Sequence, residues 1–288
     1  MSGYIWGMIS ALGYGTGDFV ARFTGRALGA NTAVFGVFLT GSLLLSVSFL
    51  FFPAEINFSW HNAWLLPLAG IANMLMLVLL FTALARGPIS IAAPIVASHP
   101  ALILVILLLL GVMPDATELA GLVIVISGVA LLSRQTAHFT SSEEMTPAYI
   151  RQTIVIALAA NVAYAVQVIT AQQIAIEYGS LQAAWATRVF GLAAILIVFA
   201  GKRERILIPI RWWPIVIVHG MLDAVGVFAL ALGSLGSGRI ATAVISSAFP
   251  VVTVLLAKIF IAEPVSSKQW LAIAVIVAGV ALISGSGG

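Results

Sequence analysis

Stretches of about 20 apolar residues, the length needed to cross the hydrocarbon of a bilayer as a helix, recur along this chain and are broken only by short polar turns. Nothing in them alternates apolar with polar residues. An outer-membrane barrel strand needs that period of two, so the runs predict helices. Only 8% of the 288 residues are charged and the mean hydropathy is +1.14, against roughly 25% charged in a soluble domain. A water-soluble fold is excluded and a multi-span membrane protein expected. The absence of cysteine removes disulfides, thiolate nucleophiles and Cys-ligated metal sites together. A net charge of +3 carried by so few groups speaks to membrane sidedness, and no nucleic-acid partner is expected. The first run, Tyr4 to Val20, lacks a basic lead-in and reads as a helix, not a cleaved signal.

Ten spans are predicted, near 3–21, 31–52, 63–84, 90–111, 118–133, 152–174, 181–200, 213–233, 239–261 and 268–284. With ten spans, alternate connections share a side. Arg22, Arg26, Arg86, Arg134, Arg151, Lys202, Arg203, Arg205, Arg211, Lys258 and Lys268 then fall on one side, and Arg239 with Glu55, Asp115, Glu118 and Glu177 on the other. By the positive-inside rule the basic side is cytoplasmic and both termini lie outside it, in an inner (plasma) membrane.

The chain also matches itself. At a shift of 150, Tyr14 meets Tyr164, Gly29 meets Gly179, Gly41 meets Gly191, Gly70 meets Gly220 and Pro100 meets Pro250; one residue later, Gly128–Ser133 aligns with Gly279–Ser284. This gives a first repeat over 1–134, a cytoplasmic linker over 135–150 and a second repeat over 151–288. Five spans is an odd number, so the second half enters from the opposite face. The expected fold is therefore all-α, two inverted five-helix repeats, an arrangement that serves alternating access around a midplane site.

Ile261-Ala262-Glu263-Pro264-Val265, then Gln269-Trp270 and the glycine-bearing Ala278–Ile283, together with Trp6-Gly7 in the first span, resemble the EamA-type branch of the drug/metabolite transporter superfamily. The resemblance covers nearly the whole chain and implies a ten-helix exporter. Within that branch the run is most similar to exporters of aromatic amino acids. The first half departs from the pattern: Val112-Met113-Pro114 stands where the second half has Ala262-Glu263-Pro264.

Polar side chains at membrane depth are expensive and should face the bundle interior. Asn73 and Asp223 are repeat mates at mid-span. Arg188, with Trp185 nearly one turn away, needs an anionic partner: Asp223 as an ion pair, or the carboxylate of a substrate. Ser10, Tyr14 and Asp18 share one helix face, and Asn161, Tyr164 and Gln167 another. Pro94, Pro100 and Pro250 are candidate hinges or static bends; Pro100 and Pro250 free the carbonyls of Val96 and Ser246, which Ser98 and His99, or Ser246 and Ser247, are placed to satisfy. The candidate substrate-binding residues are thus Tyr14, Asn73, Ser98, His99, Asn161, Tyr164, Trp185, Arg188, Asp223, Ser246 and Ser247. Asp18 with Arg22, and Lys258 with Glu263, read as anchors at the cytoplasmic interface. Gly121 with Gly128, and Ala272 with Gly279, read as packing faces, between the halves or in a dimer.

No phosphate-binding loop, HExxH or GxSxG motif occurs, so an enzyme is not expected, nor any cofactor or metal. Three readings stand. The first is a secondary carrier exporting small amphipathic metabolites, which the resemblance narrows to aromatic amino acids; the second an exporter of lipophilic cations with Asp223 as its carboxylate; the third a non-transporting scaffold. The partners expected are a small-molecule substrate and the lipid bilayer, with the chain a monomer or weak homodimer.

Overall fold

The structure, a computed structural model, describes residues 3–51, 62–109, 111, 113–134, 146–233 and 239–286. Every regular element among them is helical: α1 (Gly3–Leu28), α2 (Ala30–Ser48), α3 (Leu65–Arg86), α4 (Ile89–Ala97), α5 (His99–Leu109), α6 (Ala116–Arg134), α7 (Pro147–Tyr178), α8 (Ser180–Lys202), α9 (Trp213–Gly233, entered by a 3₁₀ turn at Ile210–Trp212), α10 (Arg239–Ser246), α11 (Phe249–Phe260) and α12 (Ser267–Ser286). Glu55, Val112, most of the 135–150 linker and the Ser234–Gly238 turn lie outside the described residues.

Among the described residues eight helical segments are long and apolar enough to span a bilayer, counting α4 with α5 and α10 with α11 as one segment each, and α6 adds a shorter apolar helix. The glycine-rich α1, which carries Asp18, Arg22 and Arg26, completes ten segments. The fourth and ninth expected spans are each two helices. α7 begins at Pro147, inside the stretch expected to be linker, because Thr146 caps it: the Thr146 side chain accepts from the Tyr149 N–H at 3.2 Å.

Helix pairings recur across the two halves. α1 packs on α9 as α3 packs on α7; α2 on α9 as α3 on α8; α1 on α10 and α11 as α7 on α4 and α5. Each pairing is the other carried from one half to the next. Repeat mates face each other at two places, and there they run antiparallel. A Cβ built on Gly41 of α2 would lie 3.8 Å from Arg188 of α8, and one on Gly191 would lie 2.7 Å from Phe38. A Cβ on Gly121 of α6 would lie 2.9 Å from the Gly279 carbonyl of α12, and one on Gly128 would lie 2.7 Å from Ile276. The small residues of α6 and α12 are therefore used within the chain, to bring the two halves' backbones together.

One end of the bundle collects the basic side chains. Arg26 Nε donates to the Ala85 carbonyl, and Arg86 donates to Gln152 Oε1 at 3.0 Å with its guanidinium 4.0 Å over the Tyr149 ring. These contacts bring the last turns of α1 and α3 to the first turn of α7. At the far end Thr242 Oγ1 donates to the Gly3 carbonyl at 3.0 Å, and a Cβ on Gly285 would meet Val244 at 3.6 Å. The first and last helices therefore share the end opposite the basic one. Outward faces carry exposed Leu12, Leu43, Val123, Ile197 and Leu271, as a lipid-facing surface should.

Candidate functional site

The chain breaks its fourth and ninth spans at equivalent places. Ser98 separates α4 from α5, and Ser247-Ala248 separates α10 from α11. Pro100 and Pro250 then sit in the first turn of the following helix, where a missing N–H leaves no intrahelical bond unmade. Pro94 lies inside α4, which continues through it. Each break is served by local bonds. Ser98 Oγ donates to the Ile95 carbonyl at 2.7 Å, Ser246 Oγ to Ala243 at 3.0 Å and Ser247 Oγ to Val244 at 2.6 Å. These acceptors lie three residues back; of the two carbonyls the spacing had pointed to, that of Val96 accepts from Asn161 Nδ2 at 3.5 Å instead of from a serine. The first break has a further clamp: Asn161 Nδ2 of α7 donates to the Ile95 carbonyl at 2.6 Å and to Ser98 Oγ at 2.9 Å. Asn161 and the three serines thus hold the breaks together.

Against each break stands a tyrosine from the opposite half's first helix. Tyr164 of α7 stacks on His99, with ring centroids 3.8 Å apart and an interplanar angle of 24°. Tyr14 of α1 meets Phe249 edge-on at 6.1 Å. Tyr14 and Tyr164 are repeat mates, and so are His99 and Phe249, so one motif is built twice about the pseudo-axis. Tyr14 reaches its place because Gly226 of α9 lies under it: a Cβ there would come within 3.1 Å of the ring.

Charge enters from the second half. Arg188 Nη2 lies 2.7 Å from Asp223 Oδ2, with both side chains about nine-tenths buried (6% and 11% exposed). The guanidinium also lies 5.8 Å over the Phe38 ring, and its Nε has no hydrogen-bond partner among the described residues. In the first half the mates of Arg188 and Asp223 are Phe38 and Asn73. Asn73 is 2% exposed, with its Nδ2 unpartnered among the described residues. Asp18 follows Tyr14 by one turn on α1, and next to it Gly17 faces α9, where a Cβ would lie 3.9 Å from the Asp223 backbone nitrogen and from the His219 ring. Tyr14, Asp18, Asp223 and its partner Arg188 form a central cluster. Trp185 is occupied elsewhere: its Nε1 donates to Ser46 Oγ of α2 at 2.9 Å, and its ring meets Phe49 at 6.1 Å.

Three groups stand out that the sequence reading passed over or placed otherwise. His219 of α9 is buried, with Nδ1 3.1 Å from Thr24 Oγ1 and its ring stacked on Phe81 at 4.9 Å. It lies one turn before Asp223, and that four-residue spacing was the available signal. Asp18 belongs to the central cluster instead of anchoring with Arg22. Glu263 is no interface partner for Lys258. Its Oε1 accepts from the Ser90 N–H at 2.8 Å and its Oε2 from Ile89 at 3.1 Å, while Arg22 Nη1 lies 3.9 Å away. The carboxylate caps α4, where the helix dipole favours negative charge, and Lys258 lies 5.8 Å over the Trp270 ring.

The fold has a solved counterpart. A crystal structure whose printed description is only "Crystal structure of protein" superposes with a TM-score of 0.67 at 19% identity, covering 97% of this chain and 95% of that one. That likeness shows the fold alone. No curated protein matches the chain. The sequence model of the EamA-like transporter family matches twice, over residues 1–134 and again over 151–285. With a match to each half, the chain belongs to the EamA-like transporter family, and so to the membrane transporters of small molecules.

Proposed function

We propose that the protein is a secondary carrier that exports small amphipathic metabolites, aromatic amino acids first among them, across the inner membrane by alternating access. The observation that carries this reading is the twofold aromatic motif: two broken helices, each faced by a tyrosine ring, flank a charged pair at the centre of the bundle. Rings accommodate a ring, and a guanidinium edge accommodates a carboxylate. A phosphate or sugar nucleotide would call for several cationic donors, and the central cluster has one, Arg188. The basic end is taken as cytoplasmic. There, the Arg22–Glu263 contact with the first turn of α4 joins both halves, so access from that side requires it to part.

The test is counterflow in liposomes with labelled tryptophan, phenylalanine, threonine and a lipophilic cation, with and without a pH gradient. Saturable aromatic counterflow supports the reading, and its response to the gradient separates antiport from facilitated exit. Movement of the cation alone replaces it with the cation-exporter reading. Absence of any movement by folded protein refutes both.

A further inference from the structure

The central cluster has more acidic side chains than basic ones. It holds two carboxylates, Asp18 and Asp223, and one guanidinium, which Asp223 engages at 2.7 Å. Asp18 makes no hydrogen bond and no ion pair with any described residue. The cations that approach it are already engaged. Arg22, one turn along α1, turns to Glu263 and lies against Gly87; Arg188 is held by Asp223. From α9, which packs against α1 at Gly17, the facing groups are His219, paired with Thr24, and Asp223 itself. Asp18 is half-buried at this depth, where a lone carboxylate is expensive. Its repeat mate is Val168, so the extra acidic group belongs to this half alone. The same cluster contains a buried donor without a partner, the Nε–H of Arg188.

An unpaired acidic side chain one turn from the Tyr14 ring is a site for a cation that carries apolar bulk. We propose that Asp18 binds the ammonium group of the transported molecule. This rests on the carrier reading given above and adds a residue to it. Both a zwitterionic amino acid and a simple arylalkyl amine present that group. The free Nε–H of Arg188 offers the amino acid's carboxylate a second point of attachment that the amine lacks.

The experiment uses the purified full chain in detergent and measures binding of three probes: phenylalanine, phenethylamine, which lacks the carboxylate, and 3-phenylpropanoate, which lacks the ammonium. The expected result is that the wild type binds phenethylamine and not 3-phenylpropanoate, and that Asp18→Asn weakens phenethylamine by about tenfold or more, the worth of one charge-assisted bond. Elution volume and melting temperature show whether the variant is folded. If it is not, Asp18→Glu takes its place, its longer arm shifting the carboxylate and so changing the affinity. The proposal is overturned if the wild type binds no amine, if 3-phenylpropanoate binds as tightly as phenethylamine, or if the folded variant binds phenethylamine within about twofold of the wild type. Competition by phenylalanine separates the two ligand sources. If phenethylamine binds through Asp18 and phenylalanine does not displace it, the ammonium site stands and the amino-acid reading falls.

Discussion

Removing the Glu263 carboxylate should destabilise the protein in a way that its partner's removal partly reverses. In the first turn of α4, Ile91 and Ala92 donate to the Pro88 carbonyl at 3.2 and 3.1 Å, Pro88 has no N–H, and the remaining donors, Ile89 and Ser90, both go to Glu263. The carboxylate also faces Arg22 at 3.9 Å, with side chains 11% and 6% exposed. At an effective dielectric of 20 that separation is worth about 4 kcal/mol of gross attraction, before desolvation is subtracted. Leaving one member of a buried pair alone costs about 3–5 kcal/mol. Glu263→Gln keeps one acceptor and loses the charge, so about 3 kcal/mol is expected. Glu263→Ala also loses the cap, which adds about 1 kcal/mol. For a chain of this size, at about 2 °C per kcal/mol, the falls in Tm are about 6 and 8 °C. The assay is thermal unfolding in detergent at one scan rate for all variants. Its decisive arm is the double variant Arg22→Met/Glu263→Gln, which should melt above Glu263→Gln because the orphaned cation has gone. If the double variant melts lower, by the full decrement of Arg22→Met alone, or if Glu263→Ala melts with the wild type, the capped-pair account is refuted.

Asn161→Ala should cost about 1–3 kcal/mol by stripping the donor from the Ile95 carbonyl, and Asn161→Asp should cost more, since a carboxylate cannot donate there; both are read as Tm under the same conditions. Gly13→Ala drives a Cβ to 2.8 Å from the Leu222 carbonyl and 2.9 Å from the Gly226 nitrogen, so α1 and α9 must separate at a cost of about 1–3 kcal/mol. Tm should fall and counterflow slow, since Tyr14 adjoins the contact. Asp223→Asn should cost about 3–5 kcal/mol by orphaning Arg188, and Arg188→Met/Asp223→Leu should recover most of it. Full recovery of transport by that double variant would show that the pair serves stability alone.

Much of the fold is legible in the sequence because the bilayer allows so few solutions: apolar length marks a helix and a repeat marks a duplication. Where spans break was less legible. Proline announces the neighbourhood of a break, but Ser98 and Ser247 mark its place, and at Ser98 the clamping bonds come from Asn161 of α7, over 60 residues away in the chain from Ile95. The Arg188–Asp223 pairing was readable, since each is the other's cheapest partner at that depth. Glu263 was misread because its partners are backbone N–H groups of another helix, which no residue type advertises. Asp18 was misread because Arg22 lies one turn away on the same helix; what divides them is the pull of Glu263 on the arginine, which only the packed structure reveals.

The packing of α1 bears on how the protein is made. Its broadest partners are α9, α10 and α11, so a helix finished at Leu28 is held by helices that begin only at Trp213. It is also the described span-length segment that carries Asp18, Arg22 and Arg26 together, which makes it the least comfortable in lipid by itself. During synthesis α1 therefore enters the membrane long before its resting place exists, and the ion partner of Arg22, Glu263, follows it by 241 residues. Insertion of α1 and its closure into the bundle are separate events, and the second must wait for α9, α10, α11 and the turn that carries Glu263.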